Sequence, residues 1–426
     1  MKRRILRCWA FASLLGLVAT PLAGQDARWS IAGTASVESS GYDNPYVLLA
    51  EPGVQQIAEQ ALTGPLVRAQ IDRLLSGTGI TLRHLTQADV IRPLDGNRFA
   101  LSFTVITAAD KRLIRSVADP AGRQLAAAIV AHRARFDAIL SRYDLPRVRR
   151  DLVAMAIIGC VILDWDGLDI TARLGYRRPP EPKPNGDIFA MTMMENGPGL
   201  SVRGLYWGSH NTVVADGAIT MTTFGDHENP ERYAFPDLTG RISATRLASL
   251  VPRHTASMLA QVLREALARH QEHAARIMTR LRQGPQSEAT LSAATSATSE
   301  EIRTTLRLLE AIRYVERDGD RYLARVPVFT VEHDREMLTE ARALGAEIVQ
   351  EWLRQEYPTT RAQLVGLSAV RAGVPFEIMF TQLWHDLFGW TNYHLAGEGF
   401  FYDPYGPNAD FVGFMPFVAE TELGLL

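Results

Sequence analysis

Residues 296–330 read SATSEEIRTTLRLLEAIRYVERDGDRYLARVPVFT, and this stretch decides the fold. Thr298 and Glu301 stand in capping-box spacing, so the threonine oxygen can accept from a first-turn amide while the carboxylate reaches back. Ile302, Leu306, Leu309 and Ile312 then recur at helical intervals and form one apolar stripe, with Arg303, Thr304 and Arg307 on the outer faces. Asp318-Gly319 is a favoured pair for a tight hairpin turn. Beyond it Tyr322, Ala324, Val326 and Val328 alternate with other residues, the pattern of a half-buried strand.

The pattern has an echo in residues 82–107, LRHLTQADVIRPLDGNRFALSFTVIT. Asp95-Gly96 makes the corresponding turn, and Phe99, Leu101, Phe103 and Val105 hold the matching face. Helix, turn, helix and a two-stranded wing, twice over, resembles the winged helix-turn-helix domain of ArsR-type bacterial repressors. In the second copy SEATLSAAT (287–295) supplies the shorter first helix, whereas the first copy has only GTGITLRHL there and reads as compressed. The resemblance implies a shape and carries no catalytic signature. In a DNA-binding member Arg303 and Arg307 would face the major groove, and Arg321 and Arg325 on the wing would meet phosphates.

Outside the two copies, residues 1–24, MKRRILRCWAFASLLGLVATPLAG, have the basic start, apolar run and small-residue end of a secretory signal peptide cleaved after Gly24. The expectation is a periplasmic or extracellular protein without a stable membrane anchor, since the apolar run is short for a span. That segment holds four of the 45 basic residues and no acid, leaving 41 against 47 acidic and a net charge near −6. An acidic balance disfavours nucleic acid as a partner. Cys8 leaves with the signal and Cys160 stands alone, so one chain has no disulfide framework.

The domain reading follows from these marks. Residues 25–50 form a flexible lead-in, 51–245 a first half and 246–426 a second, opened by a long amphipathic helix over 255–282. Each half is expected to run from a winged-helix-like unit through helices to a short β-rich segment. RRDLVAMA and RAQLVGLS then correspond, and Gly208-Ser-His-Asn lies over Gly389-Trp-Thr-Asn. The proline-rich excursion 177–187 accounts for the greater length of the first half. The fold class is α+β, helix-dominated, with two pseudo-repeats.

Three groups of residues are candidates for chemistry. AIIGCVILDWDGLD (156–169) resembles motif I of haloacid-dehalogenase-type phosphatases, which implies Asp164 as nucleophile, Asp166 as acid and base, and Mg²⁺ held with help from Asp226. The competing reading makes Asp166 a helix N-cap beside Gly167. His270 and His273, three apart on the long helix, and His210, Asp226, His227, His385 and His394 lack zinc spacing; no HExxH, GxSxG, P-loop or GxGxxG occurs. The aromatic run 380–414 offers an apolar ligand pocket with Trp384, His385 and Tyr402 as polar handles. The reading that follows is an exported, non-enzymatic scaffold or binding protein for an unknown protein or small apolar ligand, without cofactor or metal. A cytoplasmic DNA-binding regulator and the phosphatase are the alternatives.

Overall fold

The computed structural model describes residues 28–37, 39–196, 208–226, 234–242, 247, 250–295 and 297–425. Residues 1–24, read as a signal peptide with cleavage expected after Gly24, and His227 lie outside these residues. The strands are β1 (Trp29–Ser36), β2 (Leu66–Val67), β3 (Ile91–Pro93), β4 (Arg98–Leu101), β5 (Thr104–Ile106), β6 (Ile188–Glu195), β7 (Gly208–Val214), β8 (Ile219–Gly225), β9 (Gln286–Ser287), β10 (Val315–Asp318), β11 (Arg321–Ala324), β12 (Val328–Phe329) and β13 (Phe414–Glu420). The helices are α1 (Pro45–Ala50), α2 (Pro52–Ala61), α3 (Arg68–Leu74), α4 (Leu82–Gln87), α5 (Ala108–Ala131), α6 (Arg133–Leu140), α7 (Arg150–Ala154), α8 (Gly167–Arg173), α9 (Phe235–Arg241), α10 (Arg253–Leu281), α11 (Glu288–Ala293), α12 (Ser299–Ala311), α13 (Val331–Leu364), α14 (Ser368–Arg371) and α15 (Phe376–Gly397). The chain is α+β and helix-dominated.

Both Asp-Gly turns close wings of the same build. One sheet runs β2-β4-β3 and the other β9-β11-β10. Val67 faces Arg98 as Ser287 faces Arg321, and Pro93 faces Phe99 as Arg317 faces Tyr322. Gly96 and Gly319 take φ of 66° and 61° at the turn tips, where any side chain is strained. Asp89 and Arg313, just before each wing, are also left-handed, at φ 53° and 61°. The capped helix forms as its spacing requires: Thr298 accepts from Glu301 N at 3.3 Å while Glu301 accepts from Thr298 N at 2.9 Å. Ile302, Leu306 and Leu309 are fully buried. In the first unit the shorter helix is present after all, as α3 in RAQIDRL, not in GTGITLRHL.

The returning segment after each turn is not one half-buried strand. It kinks out of the wing, so that β5 pairs in parallel with β6 and β12 in parallel with β13. Ala100 and Leu323, on the faces expected to meet solvent, are buried too. The two larger sheets are β1-β6-β5 and β12-β13-β8-β7. β7 and β8 therefore stand with the C-terminal strands, which moves residues 208–225 out of the first half. The proposed overlay of 208–211 on 389–392 fails for the same reason, because the second of these stretches is mid-helix in α15. The first half of the C-terminal aromatic run is that helix, and only Phe414 at its end lies in a strand.

The long helices cross the boundary between the units. α5 packs on α15, and α13 packs on the helical stretch 150–173. Glycine allows each close crossing. A Cβ on Gly122 would lie 2.6 Å from Trp390 Cβ, and one on Gly345 would run into Ile162. Both helix starts are held alike from the end of a strand: Glu195 accepts from Ala108 N at 2.8 Å and Glu420 from Val331 N at 2.7 Å.

Candidate functional site

One polar cluster within the core grows from the middle of the stretch 150–173. Residues Met155–Asp166 wind as a π-helix, with i→i+5 bonding that is rare at such length and frequent at functional sites. Met155 through Asp164 are all buried, so this segment is apolar on every side except at the carboxyl of Asp164. Opposite it β7 supplies Ser209 and α15 supplies His385. Ser209 Oγ donates to Asp164 Oδ2 at 3.3 Å and accepts from Trp165 Nε1 at 2.8 Å and Asn211 Nδ2 at 3.3 Å. Asn211 is itself set by Thr222, whose hydroxyl donates to Asn211 Oδ1 at 2.8 Å. His385 Nε2 lies 3.7 Å from Asp164 Oδ1, and its Nδ1 is 2.7 Å from the carbonyl of Thr381.

Burial dominates the electrostatics. It pushes the Asp164 carboxyl up to about 7, against the hydrogen bond from Ser209. The same burial pushes His385 down to about 4, with Arg177 adding to the effect and the Thr381 carbonyl opposing it. The Cys160 thiol, one turn back, is held well above its usual range by burial and then by Asp164. A carboxyl of this kind can keep its proton near neutrality. The order of the groups does not build a nucleophile, however: Asp164 stands between Ser209 and His385, so the imidazole cannot take the serine proton.

The phosphatase constellation does not assemble. Asp164 and Asp166 sit inside a helix and not on the loop after a strand, and their side chains diverge. Asp166 receives a two-pronged bond from Arg342, at 2.9 and 2.6 Å, and makes no N-cap bond, so that reading is corrected as well. Asp226 accepts from the Tyr405 hydroxyl at 2.6 Å. Lys183 is tied to Asp89.

The aromatic handles are core. Trp384 is fully buried over Gly167 and donates to Leu163 O at 2.8 Å. Tyr402, also fully buried, has its hydroxyl bonded to both O and N of Phe411. Of the three residues only His385 approaches the Asp164 carboxyl. On α12 Arg303 pairs with Glu288, and next to the second wing Arg325 pairs with Glu316 and Asp410, while Arg307 on α12 and Arg321 on the wing are exposed. His270 Nδ1 is 2.8 Å from the Thr305 hydroxyl. Among the described residues no group of three or more His, Cys, Asp or Glu side chains is placed to hold a metal ion, and no helix is long and apolar enough to cross a membrane. A shallow cleft of about 190 Å³ lies between α4 and the proline-rich excursion, lined by Tyr42, Arg83, His84, Lys183, Asn185 and Phe189.

No protein family, curated protein or solved structure matches the chain. The site rests on its own geometry. Ser209 and Thr381, which complete the cluster around Asp164 and His385, carried no signal in the sequence. Each is a common residue inside an ordinary element, brought in only by the tertiary fold.

Proposed function

We propose that this protein is an exported, non-enzymatic scaffold that binds a protein or a small apolar ligand, built on two winged-helix-like units descended from a duplication. One observation carries the reading: the acidic side chains that could do chemistry are each spent on a different internal partner. Asp164 goes to Ser209, Asp166 to Arg342 and Asp226 to Tyr405. The matched wings support the duplication. Met258, Val262 and Leu263, exposed on the first half of α10, support a protein partner, because grouped apolar exposure marks interaction surfaces. Their exposure also shortens the buried stripe expected of that helix.

The regulator reading loses support from the same surface. Glu300, Glu301 and Glu310 share α12 with Arg303 and Arg307, and Asp318 and Asp320 flank the wing turn. Non-specific DNA affinity comes from phosphate neutralisation. A gel shift with random duplex at low salt is expected to show no retarded species, and a salt-sensitive shift abolished by R307A with R321A would replace the scaffold with a DNA-binding protein. Fractionation with N-terminal sequencing tests export: the expected N-terminus is Gln25 outside the cytoplasm, and an intact cytosolic chain starting at Met1 overturns it.

A further inference from the structure

We propose that the cleft between α4 and the proline-rich excursion binds a small carboxylic acid carrying one planar ring, with Arg83 and His84 on the carboxylate and Tyr42 against the ring. The site goes beyond the scaffold reading and does not rest on it. Neither export nor duplication is needed for it, and its ligand is charged where that reading has an apolar one.

Three segments distant in sequence build the cleft. The single turn Gly41–Asp43 brings Tyr42 and Asp43, α4 brings Arg83 and His84, and the end of the excursion brings Lys183 and Asn185. The excursion is fastened in place. Lys183 pairs with Asp89, and its Nζ lies 5.0 Å over the Phe189 ring. The backbone N of Lys183 donates to Asp187 O at 2.7 Å. The buried Asp187 carboxylate in turn accepts from Asn185 Nδ2 at 2.9 Å and from the Ser39 hydroxyl. Walls held in this way form the cleft before a ligand arrives, which removes an ordering cost from binding.

Size and charge select the ligand. A volume of about 190 Å³ falls short of the roughly 300–1,000 Å³ of a drug-sized site and suits a single ring with a short substituent. Lys183 is neutralised by Asp89, which leaves Arg83 and Asp43 as charged lining residues with no ion pair among the described residues. Arg83, exposed on α4, presents a planar fork of N–H donors that fits a carboxylate through two bonds. His84 adds one donor. Its Nδ1 accepts from Thr81 N at 3.0 Å, so the proton of the neutral ring stands on Nε2. The Tyr42 and His84 rings lie 6.0 Å apart at 52°, an angled wall for a ligand ring. Asp43 and Asp89 limit the ligand's charge, because they repel a dianion twice as strongly as a single negative charge.

The test uses the full chain with benzoate as the probe, read by saturation-transfer NMR and calorimetry at low salt. For a ligand of about nine non-hydrogen atoms the expected Kd is on the order of 1 mM. R83A, at an exposed position, is expected to weaken benzoate about tenfold or more, and R83K, which keeps the charge and loses the fork, by less. Benzyl alcohol, the same ring without the charge, is expected to bind wild type as weakly as benzoate binds R83A. Wild type that shows no benzoate binding at about 10 mM overturns the proposal, and so does R83A that binds benzoate unchanged. Inorganic phosphate that displaces benzoate at equal concentration overturns it as well, since the cleft would then select charge and not a ring-bearing carboxylate. Each of these failures leaves the scaffold reading standing.

Discussion

Asp110 and Asp334 do the same work in the two units and keep different company. Each sits in the first turn of its long helix, is buried, and accepts from the backbone N–H of the threonine before that helix, Thr107 at 3.0 Å and Thr330 at 2.8 Å. The second oxygen of Asp110 then takes Ser368 through its N at 2.9 Å and its hydroxyl at 3.1 Å. Asp334 instead takes Arg282, with bonds of 2.7 and 2.9 Å. Arg282 is itself buried, lies over the Tyr143 ring, and reaches Asp144 at 2.7 Å. Burial works against the charge of Arg282, and Asp334, with Asp144 and Tyr143, more than offsets it. The same backbone requirement is met in both places, while the remaining bonding capacity is filled from whatever packs nearby.

That contrast can be broken by mutation. Arg282→Ala leaves Asp334 in the core without its cationic partner and is expected to cost about 3–5 kcal/mol in urea unfolding. Asp110→Ala removes neutral partners only and is expected to cost about 1–3 kcal/mol. Equal losses would mean that the ion pair adds nothing beyond a cap. The two glycine crossings come next, at roughly 1–3 kcal/mol each for alanine. Gly122→Ala is expected to be the worse, because its Cβ would meet Thr391 N at 2.9 Å and backbone of Trp390, whereas at Gly345 the obstacle is the Ile162 side chain, which can turn. The smallest effect is at the helix caps. Thr298→Ala is expected to cost about 1 kcal/mol. Thr81→Ala should cost less, since its hydroxyl reaches only the His84 ring, at 3.3 Å, and its N–H stays held by His84 Nδ1 at 3.0 Å.

The wings were legible because their signals are local. Asp95-Gly96 and Asp318-Gly319 specify turns within a few residues, and the stripe Ile302 to Leu309 needs only its own helix. The run 156–169 was misread because ten consecutive buried residues show no periodicity, and apolar content alone does not separate a central strand from an all-buried π-helix. In 376–397 aromatic residues suggested strand, yet Phe380, Trp384 and Phe388 recur at fours and line a helix. At the candidate site Asp164 and His385 were both singled out, but separately and for other reasons. Their meeting depends on α15 crossing the π-helix, which no local pattern announces.

The exchange of helices between units also governs the order in which the chain can mature. His394 on α15 reaches Asp119 on α5 at 2.8 Å across 275 residues. Ile114, Val117, Ala121 and Leu125 of α5 are buried in the finished protein, yet the helix that covers α5 is made only after the whole of the intervening chain, residues 132–375. The N-terminal unit must therefore wait with a greasy flank uncovered, and a nascent chain in that state calls for a holding chaperone.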